Sequence, residues 1–204
     1  MTTRAPRRDA VENRAGLLDA ARTVLRQDAQ APIEAIAAAA GLSRRAVYGH
    51  FPSRDALLRE VVLSGAERVL QAAPATDVLV RLKPVLRLAT IASALWDQIA
   101  DAVSMARLAV RGTLAEEVAA VFAPLRAQVV DACIDGIATG DMRDDVAPEA
   151  LARLVEGACF AVLDEANRTG STVDGRTTII LAALGMAGIG WKDAMTVATT
   201  GDDK

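Results

Sequence analysis

The stretch Ile33–Leu57, IEAIAAAAGLSRRAVYGHFPSRDAL, packs several helix boundaries so closely that it can fold only as short helices joined by tight turns. Pro32 suits the first position of a helix, where its missing N–H costs nothing. Ile33, Ile36, Ala37 and Ala40 then fall on one face. Gly41 ends that helix, because glycine takes the left-handed conformation without penalty. Ser43 is placed to cap a second helix from Arg44 to about His50, which Phe51-Pro52 closes. Ser53 caps the next, with Asp55 in its first turn. A short helix, a glycine turn and a capped second helix make a helix-turn-helix. Small Ala37 and Ala40 let the two helices cross, and Leu42, Val47 and Phe51 fill the inside. Arg44 and Arg45 stand at the end of the second helix that is free to enter a major groove, where free N–H groups also attract phosphate.

The same punctuation divides the rest of the chain. Residues 1–8 read as a flexible basic arm with Arg4, Arg7 and Arg8. A helical pattern starts near Asp9 and places Leu17, Leu18, Ala21 and Leu25 on one face until the break at Gln27–Pro32. From Arg54 a helix runs to about Ala73, before Pro74. Later helices are bounded by Pro84, Gly112, Pro124, Gly140 and Pro148. One runs from Pro148 to about Arg168, and a last one from about Arg176 to Ala194, with a disordered tail over 199–204. No strand-like alternation appears, and 43 alanines with 3% aromatic residues favour helices. The expected fold is all-α: a three-helix DNA-binding unit over 9–53 and a larger helical bundle over 54–198, about nine helices in total.

Composition narrows the function. With 52% hydrophobic residues the chain has enough apolar surface to build a core. Only two cysteines, Cys133 and Cys159, exclude a disulfide scaffold, and a single histidine, His50, leaves no histidine-based metal site or serine triad. No cofactor, no metal and no enzymatic activity is expected. The uncharged run Thr177–Trp191 is too short to span a bilayer, no export signal follows the basic start, and free thiols suit a reducing compartment. A cytoplasmic protein without membrane contact is expected. Charge is uneven. Residues 1–60 hold ten Arg against seven Asp or Glu, whereas the whole chain is at −3. A basic start on an acidic body suggests a polyanion-binding unit joined to something with another task.

The string SRRAVYGHFPSRDALL, with LLDAARTVL and IEAIAAAAGLS before it, resembles the signature of the TetR family of bacterial transcription regulators over roughly residues 14–62. The resemblance implies that Arg44, Arg45 and Ala46 face base edges, that Tyr48 and His50 hold phosphates, and that Ser53 and Arg54 hold a neighbouring one. It implies that Arg4, Arg7 and Arg8 reach an adjacent groove or the backbone. A well-placed arginine–guanine pair gives about 1–3 kcal/mol of discrimination, whereas phosphate contacts fix register. The family often has Thr or Ser at the start of the second helix; here Ala31-Pro32 stands there and offers no hydroxyl to a phosphate.

A two-fold, pseudo-palindromic operator on double-stranded DNA needs a homodimer. The helices Pro148–Arg168 and Arg176–Ala194 are the candidates, with Leu151, Val155, Val162, Ile180, Leu184, Ala187 and Gly188 at the interface. The second is apolar nearly all round and so needs cover on both sides. The resemblance also implies a cavity for a small apolar effector, with candidate walls Leu88, Ile91, Leu95, Trp96, Met105, Leu108, Phe122, Val129 and Phe160. An effector that binds one state better would shift the spacing of the recognition helices through the helix Arg54–Ala73 and release the operator. The expected function is that of a ligand-responsive, sequence-specific regulator, most simply a repressor. The alternative is a helical small-molecule-binding protein or enzyme with a vestigial DNA-binding unit.

Overall fold

The computed structural model describes residues 6–28, 30–99, 113–169 and 174–200. These residues form eleven helices and no strand. They are α1 Pro6–Gln27, α2 Ile33–Ala39, α3 Arg44–His50, α4 Arg54–Ala72, α5 Thr76–Leu79, α6 Pro84–Ile99, α7 Ala115–Val121, α8 Ala123–Ala138, α9 Pro148–Thr169, α10 Gly175–Met186 and α11 Trp191–Thr200. The all-α expectation is met: a run of short helices near the N-terminus is followed by a helical body.

The chain divides into two compact units, one of residues 1–66 with 104–118, the other of 67–103 with 119–204. The first half of α4 shares the core of the first unit, where Leu57 and Val61 belong to the same buried cluster as Leu17, Leu18, Ala21, Leu25, Ile33, Ile36, Ala37, Val47 and Phe51. Fully burying a leucine such as Leu17, Leu25 or Leu57 is worth about 1.5–3 kcal/mol, which ties α1, α2, α3 and the start of α4 into one body. Arg14 adds a clamp. Its guanidinium bonds the Glu60 carboxylate at 2.8 Å and lies 4.7 Å from the centre of the Phe51 ring. In the same unit Arg22 donates to Ser64 at 3.0 Å, again from α1 to α4, and Arg59 pairs with Glu117 of α7.

The caps follow the sequence closely in this unit. Gly41 has φ +66°, and behind it the Leu42 N–H reaches the Ala37 carbonyl at 2.9 Å, closing α2. Ser43 Oγ accepts the Ala46 N–H at 3.2 Å, and Ser53 Oγ accepts that of Ala56 at 3.1 Å. The cap of α2 is Pro32, which makes no side-chain bond, in line with the missing hydroxyl.

In the second unit, Leu79, Ile91 and Leu125 form one buried cluster and Cys133, Leu151 and Ala152 another. Three expectations need correction. The first helix begins at Pro6, not Asp9, because proline fits the first helical position, so Arg7 and Arg8 lie in its first turn rather than in an arm. The single last helix is two, since Gly188, at φ +92°, ends α10 with the Ile189 N–H on the Leu184 carbonyl at 3.0 Å. And α11 runs on to Thr200, past the expected start of a tail at 199. With the short α5, this split raises the count from nine to eleven among the described residues. Arg4, Met105 and Leu108 lie outside the described residues.

Candidate nucleic-acid interface and ligand cavity

Helix α3 is short, and its two sides differ sharply. Val47 is fully buried and Phe51, just after it, nearly so; they hold the helix on the core of the first unit. Arg44, Arg45 and Tyr48 are exposed, with Ala46 and His50 half-buried. An aromatic residue that keeps 40% of its surface in water, as Tyr48 does, contributes little to the core. The sequence-predicted residues Arg44, Arg45, Ala46, Tyr48 and His50 are thus brought together on one short helix, with Ser53 exposed at the cap of the next.

Arg44 is not left loose. Its Nη1 lies 2.7 Å from Glu34 Oε1 of α2, and its guanidinium sits 5.5 Å from the centre of the Tyr48 ring. Bonding to Tyr48, and then the charge of Glu34, raises its pKa further above an already high value. Both members of the ion pair are exposed, so a phosphate or guanine can take the place of Glu34. Arg45 has no ion pair among the described residues. Arg54 turns inward in part, its Nε donating to the Ala31 carbonyl at 3.2 Å, so it braces the α1–α2 connection. Sequence reasoning did not find Glu34; an acidic residue in the first turn of a helix reads as ordinary macrodipole chemistry.

The second unit holds a cavity of about 50 Å³ between α6, α8 and α9. Of the expected walls, Leu88, Ile91, Leu95, Phe122, Val129 and Phe160 line it. Trp96 does not. It is packed against Gly175 of α10, where a Cβ would come within 2.0 Å of the indole, and it borders an open groove of about 460 Å³ between α9 and α10. The cavity also has polar members that the sequence did not reveal. Arg126 Nε and Nη2 bond Glu156 Oε2 and Oε1 at 2.8 and 2.6 Å, a two-point pair that joins α8 to α9 on the cavity wall. The pair comes from residues thirty positions apart, so only the packing of the helices could show it. Glu156 raises the pKa of Arg126 through these bonds, against the opposing effect of burial. Cys159 lines the same cavity, and burial, then the charge of Glu156, pushes its thiol up to about 12. Burial pushes Cys133 up to about 11. Neither thiol is a thiolate near neutral pH, which disarms both as nucleophiles.

Of the expected interface residues, Leu151, Val155, Ile180, Leu184 and Ala187 are buried by their own chain, because α6, α9 and α10 pack on one another; they are core. Val162 is half-buried, and Gly188 is exposed at the end of α10. The large apolar side chains that these two helices leave exposed are Leu154 of α9, at 46%, and Met186 of α10, at 37%. Gly157, Ala161 and Gly185 are exposed too, and Ala158 and Ala182, half-buried, line the groove between α9 and α10 together with Ala161.

Comparison with known proteins agrees with this geometry. Residues 17–61 match the family model of bacterial regulatory proteins, tetR family. No curated protein matches the chain significantly. Among solved structures, RolR in complex with resorcinol is 22% identical, with a TM-score of 0.62 over 94% of this chain and 95% of its own. The fatty acid degradation regulator FadR from Bacillus halodurans is 15% identical, with a TM-score of 0.70 over 92% and 97%. SmeT, the repressor of the Stenotrophomonas maltophilia multidrug efflux pump SmeDEF, is 22% identical, with a TM-score of 0.66 over 86% and 88%. At these identities the structural likeness is one of fold. The matched residues run from the second half of α1 to the first half of α4, and over them the chain is similar to the tetR family of bacterial regulatory proteins.

Proposed function

We propose that this transcriptional regulator is a homodimeric repressor that leaves a pseudo-palindromic operator when a small, largely apolar molecule enters the cavity between α6, α8 and α9. The observation that carries the reading is α3. One side of it is locked into the core by Val47 and Phe51, while Arg44, Arg45 and Tyr48 stand exposed together. Such a helix is presented to something outside the protein, and its arginines suit guanine edges and phosphates. His50, Ser53 and Arg54 would add backbone contacts, as would Arg7 and Arg8 from the start of α1 and Arg4 before it.

The second unit supports the effector half of the reading. Its cavity has mainly apolar walls. RolR was solved with resorcinol bound, and SmeT is a repressor. What α9 and α10 leave open supports the dimer. Leu154, Ala158, Ala161 and Val162 recur at helical spacing on α9, as do Ala182, Gly185 and Met186 on α10, and small residues allow close approach of a second copy. Among the described residues no helix is long and apolar enough to cross a membrane.

Selection of bound fragments from a genomic library supplies the operator, and gel shifts then test the residues. Arg45→Ala and Tyr48→Ala should weaken operator binding while leaving circular dichroism unchanged. Affinity should fall with salt, and less steeply for a variant that has lost a phosphate contact. Undiminished binding by both variants would remove α3 from the interface. Leu154→Glu should give monomers in sedimentation with the helical content retained; a dimer unaffected by it would place the interface elsewhere.

A further inference from the structure

We infer that the cavity between α6, α8 and α9 selects an uncharged molecule bearing a hydroxyl group, and that the Arg126–Glu156 pair sets this choice. The inference rests on reading the cavity as the effector site and adds the chemical class of the effector.

Most of the walls, Leu88, Ile91, Leu95, Val129 and Phe160 among them, have nothing with which to solvate a charge. The two charged side chains on the wall neutralise each other, with both carboxylate oxygens of Glu156 engaged by one guanidinium at 2.8 and 2.6 Å. The pair is already neutral, so a ligand carboxylate held there brings a negative charge with no partner of its own, and one that takes Arg126 from Glu156 leaves that carboxylate unpaired beside apolar side chains. A ligand cation meets the same conflict at Glu156. Uncompensated charge in such a place is costly, and breaking one partner out of a partly buried pair is the expensive way to bind. Since each side chain of the pair keeps about a third of its surface in solvent, the penalty is reduced rather than abolished.

A hydroxyl avoids the conflict. It has one donor and two acceptor sites, so it can donate to a carboxylate oxygen or accept from a guanidinium N–H while the pair stays closed. Size adds a second constraint. The cavity of about 50 Å³ is well below the roughly 150 Å³ that accommodates benzene, so a slim alkyl body disturbs the walls least and a ring demands that they draw apart.

The test uses three probes of equal chain length at neutral pH, 1-hexanol, hexanoate and hexylammonium, titrated calorimetrically into the full-length protein. Hexanol should bind at least about tenfold more tightly than either ion. In Glu156→Gln the freed Arg126 should reverse the order in favour of hexanoate, and in Arg126→Gln the freed Glu156 should favour hexylammonium. Circular dichroism of both variants checks the fold, and the wild-type ranking stands as evidence without them. Hexanoate binding the wild type as well as hexanol does, no binding of hexanol, or an unchanged order in both variants would each overturn the inference. A gel shift with and without saturating hexanol separates the two readings. Hexanol that binds selectively but fails to release the operator counts against the effector mechanism and leaves the ligand class standing.

Discussion

Gly175 opens α10 against the indole of Trp96, and a single methyl group there tests how tightly the second unit is built. A Cβ added at Gly175 would lie 2.0 Å from both Cη2 and Cζ2 of the indole, and 2.7 Å from Cε2. Ordinary van der Waals contact begins near 3.4 Å, so the ring or the helix must shift by more than 1 Å. Trp96 is buried and its ring cannot flex, so the shift passes into α6 or α10. Overpacking of this kind costs about 1–3 kcal/mol, and so severe an overlap belongs at the upper end. Alanine returns at most about 1 kcal/mol through its better helix propensity, less at the first position of a helix. Gly175→Ala should therefore lose about 2 kcal/mol. At roughly 2–4 °C per kcal/mol for a chain of this length, the melting temperature should fall by about 4–8 °C. Circular dichroism melts at one protein concentration measure it, since a dimer's melting temperature depends on concentration. Trp96→Leu removes the atoms in conflict, so the double variant should melt well above the sum of the two single losses. An unchanged or higher melting temperature for Gly175→Ala, or simple additivity in the double variant, would refute the packing argument.

Three other perturbations separate local electrostatics from packing. Glu34→Gln frees Arg44 and removes a negative charge beside α3, so affinity for DNA should rise, more for unrelated sequences than for the operator; gel shifts at two salt concentrations would show no change if the pair is irrelevant to binding. The buried thiols, at about 11 and about 12 against 9.0 in the unfolded chain, should make the protein lose stability as pH rises from 9 through those values, because the unfolded state gives up its protons first. A Cys133→Ala, Cys159→Ala double variant should show a smaller loss between pH 7 and pH 10.5 in denaturant titrations, and iodoacetamide should modify neither wild-type thiol at neutral pH until the protein unfolds. Hydrogen bonding from Arg14 lowers the pKa of Glu60 below its ordinary 4.5, so this contribution to stability is present above pH 4.5 and lost as pH falls through the lowered value; Arg14→Gln should flatten the acid limb of the stability curve.

The parts of the molecule legible in the sequence are those decided within a few residues of chain. Ser43, Ser53 and Gly41 act on backbone groups three to five positions away, and they fall where the sequence puts them. The errors come from a stronger signal masking a weaker one. The apolar run through Ile189 suggests one last helix, yet Gly188 takes a conformation that costs other residues and ends α10 there. Pro6 is a good first residue of a helix, but the basic residues around it read as an arm.

The interface and the cavity are harder to read, for a reason that concerns what each must meet. DNA presents the same phosphates and base edges to every protein that binds it, so a short pattern such as SRRAVYGHF can be fixed by its partner. A cavity is assembled from separate helices, and an apolar residue in a sequence does not say whether it faces its own core, a ligand or a second copy. Leu184 and Met186 stand two positions apart on α10, yet one is fully buried by its own chain and the other is exposed. The chemically informative residues of the cavity are the exceptions to its apolarity. A charged pair retained on an otherwise oily wall is poor economy for stability, since apolar replacements of similar volume are often no worse. Arg126 and Glu156 therefore mark the place where the selectivity of the proposed effector cavity is to be sought, and their charges, rather than the leucines around them, are the first to change.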